Sequence, residues 1–308
     1  MRVTVPSFAK LNLDLRVLAK RPDHYHELRT IFQTISLVDI IEIGFEPSKR
    51  TSIHIVESSV EITDNLIVRS AKLVLDALKI RAAVNFKLLK KIPMGAGLGG
   101  GSSNAAAVLL AIPALAGKAV PHAQLVRFAE TLGSDVPFFL LGGTAVAFGR
   151  GTELYPLPDL SPHHALVVST GVHVSTPHAY QSLNRPIAQQ DVTNALTSPA
   201  TSPILREFQA ITWALESSPF GTLPFKNDFE SAVFKTHPEL AAVARKLRKL
   251  GAKPALMTGS GSAVFGIFAT AAEMRAAAAA FPPGHANAVR FVTRAQYQRR
   301  WRKALQNA

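Results

Sequence analysis

The stretch Pro93-Met-Gly-Ala-Gly-Leu-Gly-Gly-Gly-Ser-Ser103 decides how the rest of the chain is read. Five of the seven residues from Gly95 to Gly101 are glycine, Lys90 and Lys91 precede them, and the run from Ser102 to Leu115 has the composition of a largely buried helix. Without Cβ atoms such a backbone approaches a phosphate closely, and a helix start adds unpaired N–H groups and the positive end of a dipole. The combination reads as an anion cradle. A flexible surface loop is the plain alternative, but a linker has no need to end in a capped, buried helix.

Gly95, Gly97 and Gly100 also satisfy G-x-G-x-x-G, a pattern shared by several nucleotide folds. A dinucleotide fold calls for an acidic residue about 20 positions later, and Gly117 to Gln124 contains neither Asp nor Glu. A P-loop calls for Gly-Lys-Ser or Gly-Lys-Thr, whereas Ser102 follows glycine directly. Both of the commoner owners of a glycine loop lose ground.

With 308 residues, 47% hydrophobic and 18% charged, the chain is long enough for two ordinary domains, each with its own core. It has no cysteine, which excludes disulfides, thiolate metal sites and a cysteine nucleophile. Met1 to Lys10 lacks an apolar signal core, and the longest apolar run, Ala105 to Gly117, contains Pro113 and falls short of the roughly 20 residues that cross a bilayer. A cytoplasmic protein without a membrane partner is expected. The surplus of 34 Lys and Arg over 21 Asp and Glu, a net +13, favours anionic partners without naming them. The basic tail Arg294 to Lys303, with Trp301 among Arg299, Arg300, Arg302 and Lys303, has the look of a nucleic-acid contact, but such tails usually serve as solubilising ends.

Alternation of Ile41, Ile43 and Phe45 with Glu42, Gly44 and Glu46, and of Ile53 and Ile55 with polar neighbours, makes the first 60 residues a half-buried sheet. Thr63 and Asp64 are expected to cap a helix carrying Leu66, Ile67, Ala71, Val74, Leu75 and Leu78, followed by a strand with Val84, Phe86 and Leu88. A helix from Pro121 to Leu132 ends at Gly133 and sets Asp135 on a turn. Three prolines in Tyr155 to Pro162 mark a linker. Beyond it the pattern predicts strands at Ala165–Ser169, Ala255–Thr258 and Val264–Phe268, helices at Pro203–Glu216 and Pro238–Leu250, and a helix through Ala276–Ala280 stopped by Pro282-Pro283-Gly284.

With Asn104-Ala105-Ala106 behind it, the glycine loop resembles the central motif of the GHMP kinases. The family's other two marks are matched by Ala9-Lys10-Leu11-Asn12-Leu13 and by the late turn Met257-Thr-Gly-Ser-Gly-Ser-Ala263, in the family's order. Four more stretches resemble the branch whose acceptor alcohol is methylerythritol carried on cytidine diphosphate. They are Arg21-Pro-Asp-His-Tyr-His-Glu-Leu28 with Thr30-Ile-Phe-Gln33, Gly133-Ser-Asp-Val-Pro-Phe-Phe139, Val174-Ser-Thr-Pro177 and Asn227-Asp-Phe-Glu230. One departure is His24, where that branch usually has glycine; histidine is among the side chains enriched at positive φ.

The resemblance implies an α+β, two-domain GHMP kinase fold. Residues 1–158 would form a ribosomal-protein-like ATP-binding domain, and 159–308 a ferredoxin-like domain contributing to the substrate site. It implies transfer of the γ-phosphoryl group of ATP to a tertiary 2-hydroxyl, with Mg2+ carried in by the nucleotide. Asp135 would be the base and Lys10 the cation that keeps it ionised; a turn-capping aspartate and a snorkelling lysine are the plain readings of those two.

Pro93, Met94, Gly95, Ala96, Gly97, Leu98, Gly99, Gly100, Gly101, Ser102, Ser103 and Asn65 would form the ATP site. Tyr25 and Tyr180 would sandwich the cytosine, His26 would bond its edge, and Asn12 and Thr176 would reach the diphosphate or sugar. No protein ligand for the metal is expected: Glu130 lies near Asp135 in sequence, Gln124 supplies no charge, and the pairs His24/His26 and His163/His164 lack any accompanying zinc signature. The partners would be small molecules and not nucleic acid, the chain a monomer or weak homodimer. Two other readings remain open: a GHMP kinase for homoserine, mevalonate or a sugar, and a non-enzymatic nucleic-acid-binding protein.

Overall fold

In the computed structural model, residues 1–21, 23, 25–58, 65–183 and 203–306 are described. Thr63, Asp64 and the His24 departure lie outside these residues, and the helix expected to be capped by Thr63 or Asp64 has Asn65 as its N-cap instead.

The chain begins with two long antiparallel strands, β1 (Arg2–Lys20) and β2 (His26–Pro47), then β3 (Ser52–Ser58), α1 (Leu66–Leu78) and β4 (Ala82–Leu89). Next come α2 (Gly100–Leu115), α3 (His122–Leu132), α4 (Val136–Leu141), β5 (Thr144–Gly149) and β6 (Glu153–Pro156). β2 is the spine: β1 runs along one edge, while β4 pairs with its second half and β5 with its first. β3 joins β4 in parallel across α1, and β6 closes the far edge beside β5. The expected linker therefore begins later, because Tyr155 and Pro156 belong to β6, an edge strand that tolerates proline.

The second half contributes β7 (His164–Val168), α5 (Thr176–Ser182), α6 (Pro203–Ser217), α7 (Glu230–Thr236) and α8 (Pro238–Lys249). It ends with β8 (Ala255–Met257), β9 (Val264–Phe268), α9 (Ala271–Ala278), β10 (Ala286–Arg290) and α10 (Arg294–Leu305). The sheet order here is β10-β7-β9-β8.

Three apolar layers hold the molecule together. Val5, Phe8, Ile41, Ile43, Phe45 and Phe86 face α1 to α4; Leu11, Leu13, Ile31, Phe265, Ile267 and Phe291 meet between the two sheets; α7, α8 and α9 cover the outer face of the second sheet. The alternation read at Ile41, Ile43 and Phe45 is this division of faces. Each apolar side chain so removed from water contributes about 1.5–3 kcal/mol.

The basic tail is not a free solubilising end. It forms α10, closed at its start by a capping box between Thr293 and Gln296, and it buries Tyr297 and Trp301 in the first-sheet core, Tyr297 against Phe8 at 5.1 Å between ring centres. Arg299, Arg300 and Arg302 stay outside because a helix with one apolar stripe needs only that stripe covered, whereas Arg294 turns inward and donates to Thr144 O and Leu157 O.

Candidate active site

Along β1 the side chains that follow Phe8 on the helix-facing side are Lys10 and Asn12, and there the helices give way to the glycine loop. The main chains are tied directly, Lys10 N donating to Leu98 O at 3.0 Å. The result is a cleft of about 1070 Å³ floored by Lys10, Asn12, Thr30 and Phe32. Gly95, Gly97 and Ser102 form one wall of it.

The loop's glycines are there for sterics. Gly95, Gly97 and Gly99 all have positive φ, and a Cβ on Gly97 would lie 2.2 Å from Thr258 O in the late glycine turn. Ala96 and Leu98 alternate inward to the core between the sheets, so within the expected ATP set they offer main chain only. α2 starts two residues earlier than the sequence suggests, with Gly99 as N-cap and no side-chain cap bond. Its first helical bond runs from Ser103 N to Gly99 O, so the amides of Gly100, Gly101 and Ser102 precede the ladder at the positive end of the helix. Ser103 is buried, hydrogen-bonded to Ser7, and Asn65 is the N-cap of α1, accepting from Ile67 N. Pro93 and Met94 do not line the cleft, and Met94 is exposed.

Lys10 is almost fully buried, with its Nζ 2.6 Å from Asn12 Oδ1 and 3.2 Å from Asp135 Oδ2, above the Phe32 ring. Asp135 occupies the N-cap position of α4, yet its side chain makes no capping bond; it stays with Lys10, about a third exposed to the cleft. Lys10 is thus no snorkelling lysine and Asp135 no turn-capping aspartate. Asn12 is fixed on its other sides by Thr30 and Thr258. Asn227 then braces the late turn, donating to Met257 O and Gly259 O, which accounts for the Asn-Asp-Phe-Glu stretch.

The opposite wall is aromatic. His26 stacks on Tyr180 at 4.7 Å and 22°, so it covers one face of the ring that was expected to sandwich the cytosine with Tyr25 and does not stand only at the base's edge, and Phe229 meets Tyr180 edge-on. Tyr25 is half exposed, with the Arg150 guanidinium over one face, 3.4 Å from the ring centre. Thr176 shares a 2.7 Å hydrogen bond with Ser260 at the cleft margin. Burial first, then the neighbouring Lys20, holds the His26 imidazole below its ordinary pKa; burial first, then Asp135, pushes the Tyr180 phenol up.

The cleft therefore brings together Lys10, Asn12, Tyr25, His26, Gly95, Gly97, Ser102, Asp135, Thr176 and Tyr180 from both halves of the chain. It also contains Lys20, Arg150 and His173, which the sequence reading missed. Arg150 sits between Gly149 and Gly151, both at positive φ, and that Gly-Arg-Gly turn was the available signal. Among the described residues, Asp135 is the only carboxylate lining the cleft, and no cluster of three potential metal-ligating side chains occurs.

A glycine-rich main-chain wall, a Lys–Asp pair beside it and an aromatic recess across from it suit a small-molecule phosphotransferase. Comparison with known proteins agrees: the pattern described as "GHMP kinases N terminal domain" matches residues 65–143, and "GHMP kinases C terminal" matches 209–284. The chain is 47% identical over 300 residues, 97% of this chain and 92% of the relative, to a 4-diphosphocytidyl-2-C-methyl-D-erythritol kinase of Solibacter usitatus.

A crystal structure of 4-(cytidine 5'-diphospho)-2C-methyl-D-erythritol kinase superposes with TM-score 0.74 at 38% identity, covering 94% of this chain and 98% of that one. The homoserine kinase of Cytophaga hutchinsonii shares the fold, with TM-score 0.68 at 18% identity over 95% of each chain. The chain belongs to the GHMP kinases, and its two sheets with outer helices are that family's two-domain α+β fold. The non-enzymatic nucleic-acid reading is set aside. Among the described residues no helix is long and apolar enough to cross a membrane.

Proposed function

We propose that this protein transfers the γ-phosphoryl group of ATP to the 2-hydroxyl of 4-diphosphocytidyl-2-C-methyl-D-erythritol, a step of the methylerythritol phosphate route to isoprenoid precursors. The observation that carries the choice is the aromatic recess facing the Lys10–Asp135 pair, together with full-length identity to relatives of that activity.

Asp135 accepts the proton of the hydroxyl as its oxygen bonds to the γ-phosphorus and the bond to the β–γ bridging oxygen breaks, releasing ADP. Lys10 holds Asp135 in place and stabilises the negative charge that grows on the attacking oxygen. The amides from Gly100 to Ser102, ahead of the first α2 hydrogen bond, receive phosphate oxygens. Tyr25, His26 and Tyr180 take the cytosine, and Asn12 and Thr176 the diphosphate or sugar. Among the described lining residues Asp135 is the carboxylate that could approach a Mg2+ carried on the nucleotide, which would supply charge neutralisation on the phosphates. Residues 1–158 carry the ATP site, and 159–308 complete the substrate site.

The test is product analysis. Incubation with ATP and the cytidine substrate is expected to yield one ADP per new monophosphate ester on the 2-oxygen, read by phosphorus NMR; a product esterified elsewhere, or none, contradicts the assignment.

A further inference from the structure

The proposed ATP-binding loop rests on a buried polar cluster that lies outside the cleft. Asp39, on β2, has no solvent exposure, and its two oxygens do different work. Oδ1 accepts from the main-chain amides of Lys91 at 2.7 Å and Ile92 at 2.8 Å, where the chain runs into the glycine loop. Oδ2 accepts from Lys90 Nζ at 2.5 Å. With the Asn104 amide turned so that its nitrogen faces acceptors, Oδ2 also accepts from Asn104 at 3.1 Å, and the same nitrogen reaches Ser7 Oγ and Gly100 O. One carboxylate therefore grips the chain before the loop and the first turn of α2 after it.

The position of Lys90 gives this grip an electrostatic purpose. A Cβ on Gly100 would lie 2.7 Å from Lys90 Nζ, so the ammonium lies directly against the first residue of α2, where the unpaired amides gather. Lys90 is nearly buried. A buried ammonium is costly without a counter-charge, and Asp39 supplies one while leaving the cation against the loop.

We propose that Asp39 is a positioning residue for nucleotide binding: through Lys90 and Asn104 it fixes the glycine loop in its phosphate-receiving shape and holds a cation behind it. The proposal rests on the loop being the ATP site and not on the identity of the alcohol. In Asp39→Asn, Oδ1 still accepts from Lys91 and Ile92, but the new amide nitrogen confronts two donors, Lys90 and Asn104, so the charge pairing is lost selectively.

The experiment compares Asp39→Asn and Lys90→Gln with the parent enzyme, measuring KM for each substrate, kcat, the dissociation constant of a fluorescent ATP analogue and Tm. Both variants are expected to weaken the analogue and raise KM for ATP about tenfold, with KM for the alcohol substrate within about twofold and kcat within about threefold of the parent. The analogue titration needs no alcohol, so a wrong acceptor assignment leaves it standing. A folded Asp39→Asn protein with unchanged analogue affinity overturns the proposal, as does an equal loss for both substrates. Should Asp39→Asn not fold, Lys90→Gln decides: unchanged analogue affinity there overturns it as well.

Discussion

Gly97 and Tyr25 face the same cleft, yet a Cβ on the first would sit 2.2 Å from a carbonyl oxygen, while the ring of the second is half exposed with the Arg150 guanidinium over it. The glycine wall is main chain pressed against main chain, locked to β1 through Lys10 N and to the late turn, where Ala263 N donates to Ala96 O. The aromatic wall is made of side chains from separate places, Tyr25 on the turn before β2, His26 on β2 and Tyr180 on α5. A backbone wall presents amide dipoles and suits any phosphate; a side-chain wall presents ring faces and suits one class of ligand.

The largest effect belongs to the pair between the walls. Asp135→Asn keeps the shape but removes the proposed base, and kcat is expected to fall by about 10²–10⁴, or about 3–5 kcal/mol, with Tm unchanged and ATP binding retained. A near-normal kcat would remove Asp135 from the mechanism.

Next is the test of rigidity. Gly97→Ala places a methyl group at positive φ against the Thr258 carbonyl and is expected to cost about 3 kcal/mol of stability and to weaken ATP, as seen in thermal unfolding and nucleotide titration. Retention of both would mean that this wall is pliable.

Tyr25→Ala probes the other wall. With its ring half exposed, the fold is expected to survive, while KM for the cytidine substrate rises about tenfold, within the 1–3 kcal/mol range of a stacked base, and KM for ATP stays constant. An equal rise for ATP would erase the division of labour.

The smallest effect is in pH. His26 binds its proton less readily in the folded protein than in the unfolded chain, chiefly because of burial and secondarily because of Lys20. Its contribution to stability is therefore complete above the ordinary value of 6.5 and is lost as pH falls through the lowered folded value. NMR titration is expected to place the His26 transition below 6.5 and to find it higher in Lys20→Gln; a parent transition at or above 6.5 contradicts this.

Much of the backbone was legible in the sequence because it followed period-2 alternation or punctuation by glycine and proline, as at Ile41 to Phe45, Val264 to Phe268 and Gly133. The glycine loop was legible for the same reason. The tail was misread because Arg299, Arg300, Arg302 and Lys303 dominate its composition, while the stripe that matters is only Tyr297 and Trp301. Lys20 reaches the cleft through tertiary placement alone, and no local pattern marks an isolated cation as lining a site; Arg150 is marked only by the two glycines that flank it. The Asp39–Lys90 pair spans 51 positions and exists only once β2 and β4 are aligned side by side.

The proposed division of labour has the aromatic wall select the acceptor and the glycine wall serve ATP. It is tested most directly by an ADP-release assay offering 4-diphosphocytidyl-2-C-methyl-D-erythritol beside free methylerythritol phosphate, mevalonate and homoserine. Turnover with the cytidine compound alone is the expected result; turnover with mevalonate or homoserine and none with the cytidine compound would contradict it.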